Sequence, residues 1–127
     1  MSYKYDVAIL MKKENYEELK DKINTQGIDD FEVNKFNNGK VSELKHYPNY
    51  YVIEWNYVGW DSDTNEMVEI VEEYLDMLHN NYIPFRYIKI GEFLKDVTDW
   101  KRSKDAESEA AINCIYPRTV VKVAYRD

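Results

Sequence analysis

Asp61, Asp63 and Asn65 stand at positions 1, 3 and 5 of a twelve-residue window, with Val68 at position 8 and Glu72 at position 12. Oxygen-bearing side chains at that spacing can wrap a calcium ion, with the last carboxylate closing the loop. Position 6, where the loop turns sharply and needs glycine, is Glu66. The preceding residues also read as a strand rather than an entering helix. The stretch is therefore better read as the start of a helix, with Asp61–Thr64 supplying the N-cap and acids in the first turn favoured by the helix dipole. No metal site and no cofactor are expected.

The other groups capable of chemistry are sparse. His46 and His79 are the two histidines, and neither stands at metal-ligand spacing from Cys114. Cys114 sits in an apolar segment, where a thiol is more often core than nucleophile. Four glycines leave little room for a phosphate-binding loop, and no nucleophile elbow is present. The expectation is a protein that binds rather than one that catalyses.

Charge suggests what could be bound. The chain carries 24 acidic and 17 basic residues among 127, a net charge of −7. Phosphate backbones repel such a surface, which argues against direct nucleic-acid binding. A basic protein surface would be attracted. Glu66, Glu69, Glu73 and Asp76 recur three or four residues apart and form one negative stripe with no lysine on the same helix; Asp61 and Asp63 extend it.

Aromatic residues form a second candidate surface. Tyr47, Tyr50, Tyr51, Trp55, Tyr57 and Trp60 crowd one segment. In an extended strand Tyr51, Ile53, Trp55 and Tyr57 share the face expected under helices, and Tyr50 shares the other, open to a partner or a dimer mate. Trp60, beside Asp61, is the expected contact at the strand's end. A third set, Arg118, Lys122 and Arg126, could hold phosphates while tyrosines stack on a base, which makes nucleotide binding the alternative function.

These residues need a scaffold. Lys4–Met11 is apolar on both faces and reads as a central strand. A helix follows over 12–23, with Tyr16, Leu19 and Ile23 on one side. Phe31–Phe36 alternates and reads as a short strand, and 37–40 reads as a turn. The segment 41–49 gives no clear signal. Residues 50–60 read as a long strand, then a strongly amphipathic helix runs to 81, and Phe85–Ile90 is a strand stopped by Gly91. Residues 92–110 are weakly patterned and leave room for a helical turn, while their charged second half reads as a surface loop; two final strands, 112–117 with Cys114 in it and 119–125, are interrupted at Pro117. The order predicts one α+β domain over 1–127, a ferredoxin-like sandwich: an antiparallel sheet with two helices on one face and a C-terminal strand extension.

One cysteine permits no internal disulfide and suits a reducing cytoplasm. The apolar run Val7–Met11 is too short for a signal peptide or a membrane span. The succession YDVAILMKKENY, WNYVGW, YIKIGEFLKDV and IYPRTV resembles small phage and prophage accessory proteins of low-GC Gram-positive bacteria. The match rests on Ile90, Gly91 and Glu92 at a strand end, and on Tyr116 and Pro117 late in the chain. The resemblance implies a non-enzymatic inhibitor of a bacterial host or defence protein, a class that includes anti-CRISPR proteins, acting in the host cytoplasm by occluding a basic surface.

Overall fold

The run Val7–Met11 is buried throughout, because it forms the middle of the central strand and is covered on both faces. In the computed structural model, which describes residues 4–92, 96–117 and the backbone of 123–125, that strand is β1 (Lys4–Lys12). It is flanked by β3 (Tyr50–Gly59) and β4 (Phe85–Gly91), with β2 (Lys40–Glu43) and β5 (Val97–Arg102) at the edges. The sheet order is β2-β3-β1-β4-β5, and every pairing is antiparallel.

Alternation along β1 divides the core in two. Val7, Ile9 and Met11 face α1 (Lys13–Thr25), α2 (Asp30–Asn37) and α3 (Glu66–Asn80). Ala8 and Leu10 face α4 (Ala106–Ile112) and the start of β6 (Ile115–Pro117), which pairs with β7 (Val123–Tyr125). Three helices thus cover one face and a fourth covers the other, where two helices on one face were expected.

Four local readings are corrected. Residues 31–36 are helical, not a strand. Asp29 accepts a hydrogen bond from the Phe31 amide at 2.8 Å, and Glu32, Val33 and Phe36 turn to the core at helical spacing. The missing strand is β2, in the segment that gave no signal; it is short and mostly exposed, and pairing with Tyr51–Glu54 defines it. The weakly patterned stretch 92–110 holds β5, and its charged second half, read as a surface loop, begins α4. A reciprocal cap starts α4: the Ser108 amide donates to Asp105 Oδ1 at 2.8 Å and the Asp105 amide donates to Ser108 Oγ at 2.9 Å. The bond from the Ser108 amide, helped by the Ser108 side chain, holds the Asp105 carboxyl below its ordinary pKa. Cys114 lies in the turn after α4, buried, rather than in a strand.

β3 departs from its expected alternation at one point. Tyr5 pairs with Val58 but Val7 pairs with Trp55, so Asn56 and Tyr57 together oppose Asp6. This is a β-bulge. Tyr57 takes a left-handed conformation at φ 53°, and its amide, displaced from the ladder, donates to Asp6 Oδ1 at 2.9 Å. The bulge swings Tyr57 away from the helices, leaving it 69% exposed, and returns Val58 to the core side.

The turn into β2 is equally constrained. A Cβ on Gly39 would lie 2.6 Å from Trp55 Cε2, so only glycine fits beside that indole. Trp55 Nε1 in turn donates to the carbonyls of Lys35 and Phe36, closing α2 onto β3.

Candidate docking surface

Alternation of acids with apolar residues on α3 places Met67, Val68, Val71, Tyr74, Leu75 and Leu78 in the core. The same turns put Glu66, Glu69, Glu73 and Asp76 outside, and all four are exposed. Asp61 and Asp63 are exposed in the turn before the helix. Among the described residues none of the six forms an ion pair. Glu72 differs: it is partly covered and accepts a hydrogen bond from the Tyr87 hydroxyl at 2.8 Å. Burial pushes the Tyr74 hydroxyl up from its ordinary pKa, with Glu18 and Glu14 across the α1–α3 groove adding to the rise.

Neighbouring helices extend the negative field. α1 sets Glu14, Glu17, Glu18 and Asp21 against Lys13, Lys20 and Lys22, while α2 sets Asp30 and Glu32 against Lys35. α3 offers five carboxylates and neither lysine nor arginine. Like charges at that spacing cost a helix a few tenths of a kcal/mol per pair, and α3 tolerates them because six of its apolar side chains are buried in the core.

The start of α3 is built otherwise than expected. Asn65, not Asp61–Thr64, is the N-cap residue, and it makes no side-chain bond to the helix. Its Oδ1 accepts from the Asp61 amide, and Asp61 Oδ1 accepts from the Asp63 amide at 2.9 Å. The helix amide at Met67 donates instead to Glu32 Oε1 of α2 at 3.4 Å, and Asn65 Nδ2 reaches Glu32 Oε2 at 3.3 Å. Glu32 is 8% exposed and also faces the Lys35 ammonium at 3.9 Å. A buried carboxylate from one helix therefore caps the next and suits its dipole. The calcium-like residues are taken up by the local turn and by Tyr87. Among the described residues no three His, Cys, Asp or Glu side chains converge as a metal site.

The two rings expected at an open surface are core residues. Tyr50 is 4% exposed beneath α4, where burial raises its hydroxyl pKa. Trp60 is 1% exposed, its ring tilted 45° to that of Trp55 with centres 4.8 Å apart, and its Nε1 donates to the Tyr87 hydroxyl at 2.7 Å. Arg118, Lys122 and Arg126, the residues of the nucleotide alternative, lie outside the described residues. His79, on the α3 side of the sheet, and Cys114, on the α4 side, are not brought together.

Two exposed rings that the sequence reading had placed elsewhere take their place. Phe31 and Tyr57 are each 69% exposed and line one cleft of about 530 Å³ with Tyr5, Trp60, Asp61 and Asn65. A second cleft of about 520 Å³ adjoins it and shares Phe31, Lys35 and Val58. Reading 30–37 as a helix would have found Phe31, since at 3.6 residues per turn it points about 140° from Phe36. Nothing in the sequence marks the bulge that exposes Tyr57.

A left-handed tyrosine is strained by roughly 1 kcal/mol, whereas asparagine tolerates that conformation well. Tyr57→Asn is accordingly expected to raise the melting temperature by about 2–4 °C, read by calorimetry. A fall in melting temperature would mean that the ring packs more than its exposure indicates.

No family model matches the chain, and no curated protein or solved structure does so either.

Proposed function

We propose that this is a non-enzymatic binding protein that lays its acidic helical layer on a basic surface of a bacterial partner protein and blocks it. The observation that carries the reading is α3 itself: Glu66, Glu69, Glu73 and Asp76 exposed along one helix without a compensating base, continued by Asp61 and Asp63. Exposed charge of one sign steers association with a surface of the other sign and sets its salt dependence. No helix among the described residues is long and apolar enough to cross a membrane. The proposed site of action is the cytoplasm of a bacterial host. The resemblance to phage accessory proteins supports a host or defence protein as target.

The β2-β3-β1-β4 order, with α1 leaving β1 and α3 joining β3 to β4, supports a ferredoxin-like plan to which β5 and α4 have been added. In that plan the buried side of α3 packs in one core with side chains of β1, β3, β4 and of its neighbours α1 and α2. A partner would therefore meet a prearranged row of carboxylates.

The test is retention of a partner by tagged protein from bacterial lysate at about 0.05 M and about 0.5 M salt. Wild type is expected to hold a stoichiometric partner at low salt, release it at high salt and inhibit its activity when purified. Replacing Glu66, Glu69, Glu73 and Asp76 by lysine is expected to weaken that complex about 100-fold or more, mainly through slower association. Unchanged affinity of the fourfold variant, with its helical circular dichroism intact, overturns the proposal.

A further inference from the structure

We infer that β5 is a self-association edge: two copies of the chain pair their β5 strands antiparallel about a twofold axis at Trp100. The Gly91 amide donates to the Asp96 carbonyl at 2.8 Å, which fixes the phase of the β4–β5 ladder. In an antiparallel ladder, residues bond to one side and the other by turns, so Thr98, Trp100 and Arg102 direct their amides and carbonyls to β4. Val97, Asp99 and Lys101 direct theirs outward, and all three residues are exposed. Among the described residues β5 pairs with β4 alone, so those outward groups have no ladder partner. Protein edges are commonly blunted by bulges, prolines or brevity. β5 has neither bulge nor proline and pairs with β4 without a shift over its six residues. The opposite edge, β2, is four residues long, and its Glu43 is taken by Lys13 at 2.6 Å.

Charge selects both the occupant and the register. A twofold axis normal to the sheet sets one residue opposite its own copy, so each residue of the strand defines one register. Centred on Asp99 or Lys101, the pairing opposes two carboxylates or two ammoniums, which destabilises a ladder. Centres nearer either end leave most of the strand unpaired. Centred on Trp100, the pairing sets Asp99 opposite the second copy's Lys101, and Lys101 opposite the second copy's Asp99. These are also the positions whose amides and carbonyls point outward, so each opposed pair exchanges two backbone hydrogen bonds. Asp99 can accept from Lys101 as well as from Arg86, because its two oxygens offer about four lone-pair sites and part of the side chain reaches water. Since the axis is normal to the sheet, the helical layers of both copies fall on one side, and two acidic α3 stripes face the same way.

Sedimentation equilibrium tests the association on purified protein alone, so a failure here leaves the basic-partner reading standing. A dimer of twice the 15.3 kDa chain mass is expected to hold half or more of the protein at about 0.5 mM. Lys101→Glu opposes two carboxylates in each pair, and Lys101→Pro removes an outward amide; each is expected to weaken the dimer about tenfold or more with circular dichroism unchanged. Mild oxidation reads the register. Trp100→Cys, at the axis, is expected to form a disulfide between copies. Thr98→Cys, whose copies stand roughly 13 Å apart in this pairing, is not, and neither is wild type, whose Cys114 is buried. A monomer at every concentration overturns the inference, and so does a dimer that neither Lys101 variant weakens. Cross-linking of Thr98→Cys rather than Trp100→Cys overturns the register. A monomer whose Lys101→Pro variant loses a captured bacterial partner overturns self-association and assigns the edge to a strand of that partner.

Discussion

Arg86→Ala is expected to destabilise the fold by about 3–5 kcal/mol, a large part of the total stability of a domain of this size. Arg86 is 5% exposed on the α4 side of β4. Its Nε and Nη2 donate to the two oxygens of Asp99 at 2.9 and 2.7 Å, so the pair is bidentate across the β4–β5 ladder. Nη1 donates to the carbonyls of Ile112 and Ile115 at 3.2 and 2.6 Å and to Asn113 Oδ1 at 3.1 Å. One guanidinium thus ties the edge strand β5 to the corner where α4 turns into β6. Truncation leaves two buried carbonyls without donors and a carboxylate without its partner. Arg86→Lys is expected to recover little, because one ammonium cannot span acceptors held by a planar fork. Asp99 keeps part of its side chain in water, so Asp99→Asn should cost only about 1 kcal/mol. Urea unfolding measures all three; a loss below about 1 kcal/mol for Arg86→Ala would mean that water replaces the guanidinium.

The residues that were legible in the sequence are those whose burial is decided by their own element. Val7–Met11 is apolar on both faces, so its central place needed no other information. The period of α3 separates Met67, Val71, Tyr74 and Leu78 from Glu66, Glu69, Glu73 and Asp76 without reference to a neighbour, and the acidic surface follows from that separation. What escaped depends on partners distant in sequence. β2 is four residues, Lys40–Glu43, with little hydrophobicity of its own, and it becomes a strand by lying along Tyr51–Glu54. Phe31–Phe36 alternates well enough for a strand, but the Asp29 cap and the demand of the α3 N-terminus for Glu32 make it a helix. The two errors offset each other: one false strand was lost, one unmarked strand was gained, and the order along the chain survived.

The aromatic segment shows the same limit at single-residue scale. Alternation correctly carries Tyr51, Ile53 and Trp55 under the helices. It fails beyond Trp55 because the bulge opposite Asp6 inserts a residue, and every later side chain changes face. Tyr57 therefore leaves the core, Trp60 enters it, and the candidate contact rings exchange roles. The acidic surface was readable from one helix. The exposure of Phe31 and Tyr57 is set by a helix start and a bulge, neither of which has a strong local signature.

Trp60→Ala is expected to cost about 3–5 kcal/mol, the price of emptying a large buried site, where a contact residue would have cost the fold almost nothing. The indole also starts a relay: Trp60 Nε1 donates to Tyr87 Oη at 2.7 Å, and Tyr87 donates to Glu72 Oε2 at 2.8 Å. Tyr87→Phe leaves the Trp60 N–H buried without an acceptor, an expected loss of about 1–3 kcal/mol. Trp60→Phe and Tyr87→Phe remove the same bond, so the double variant should fall short of the summed losses by about 1 kcal/mol in a double-mutant cycle. Ionisation separates this relay from simple packing. Burial raises the Tyr87 hydroxyl pKa, and the Glu72 carboxylate raises it further. The folded chain then keeps a proton that the unfolded chain releases near pH 10, so this stability is complete below about pH 10 and is lost as pH rises above it. Each such tyrosine contributes a fall of up to about 1.4 kcal/mol per pH unit. Urea unfolding between about pH 9 and pH 11 should therefore show a steeper decline for wild type than for Tyr87→Phe. Equal slopes would mean that Tyr87 ionises as readily folded as unfolded, which a tyrosine 2% exposed and hydrogen-bonded to a carboxylate does not do.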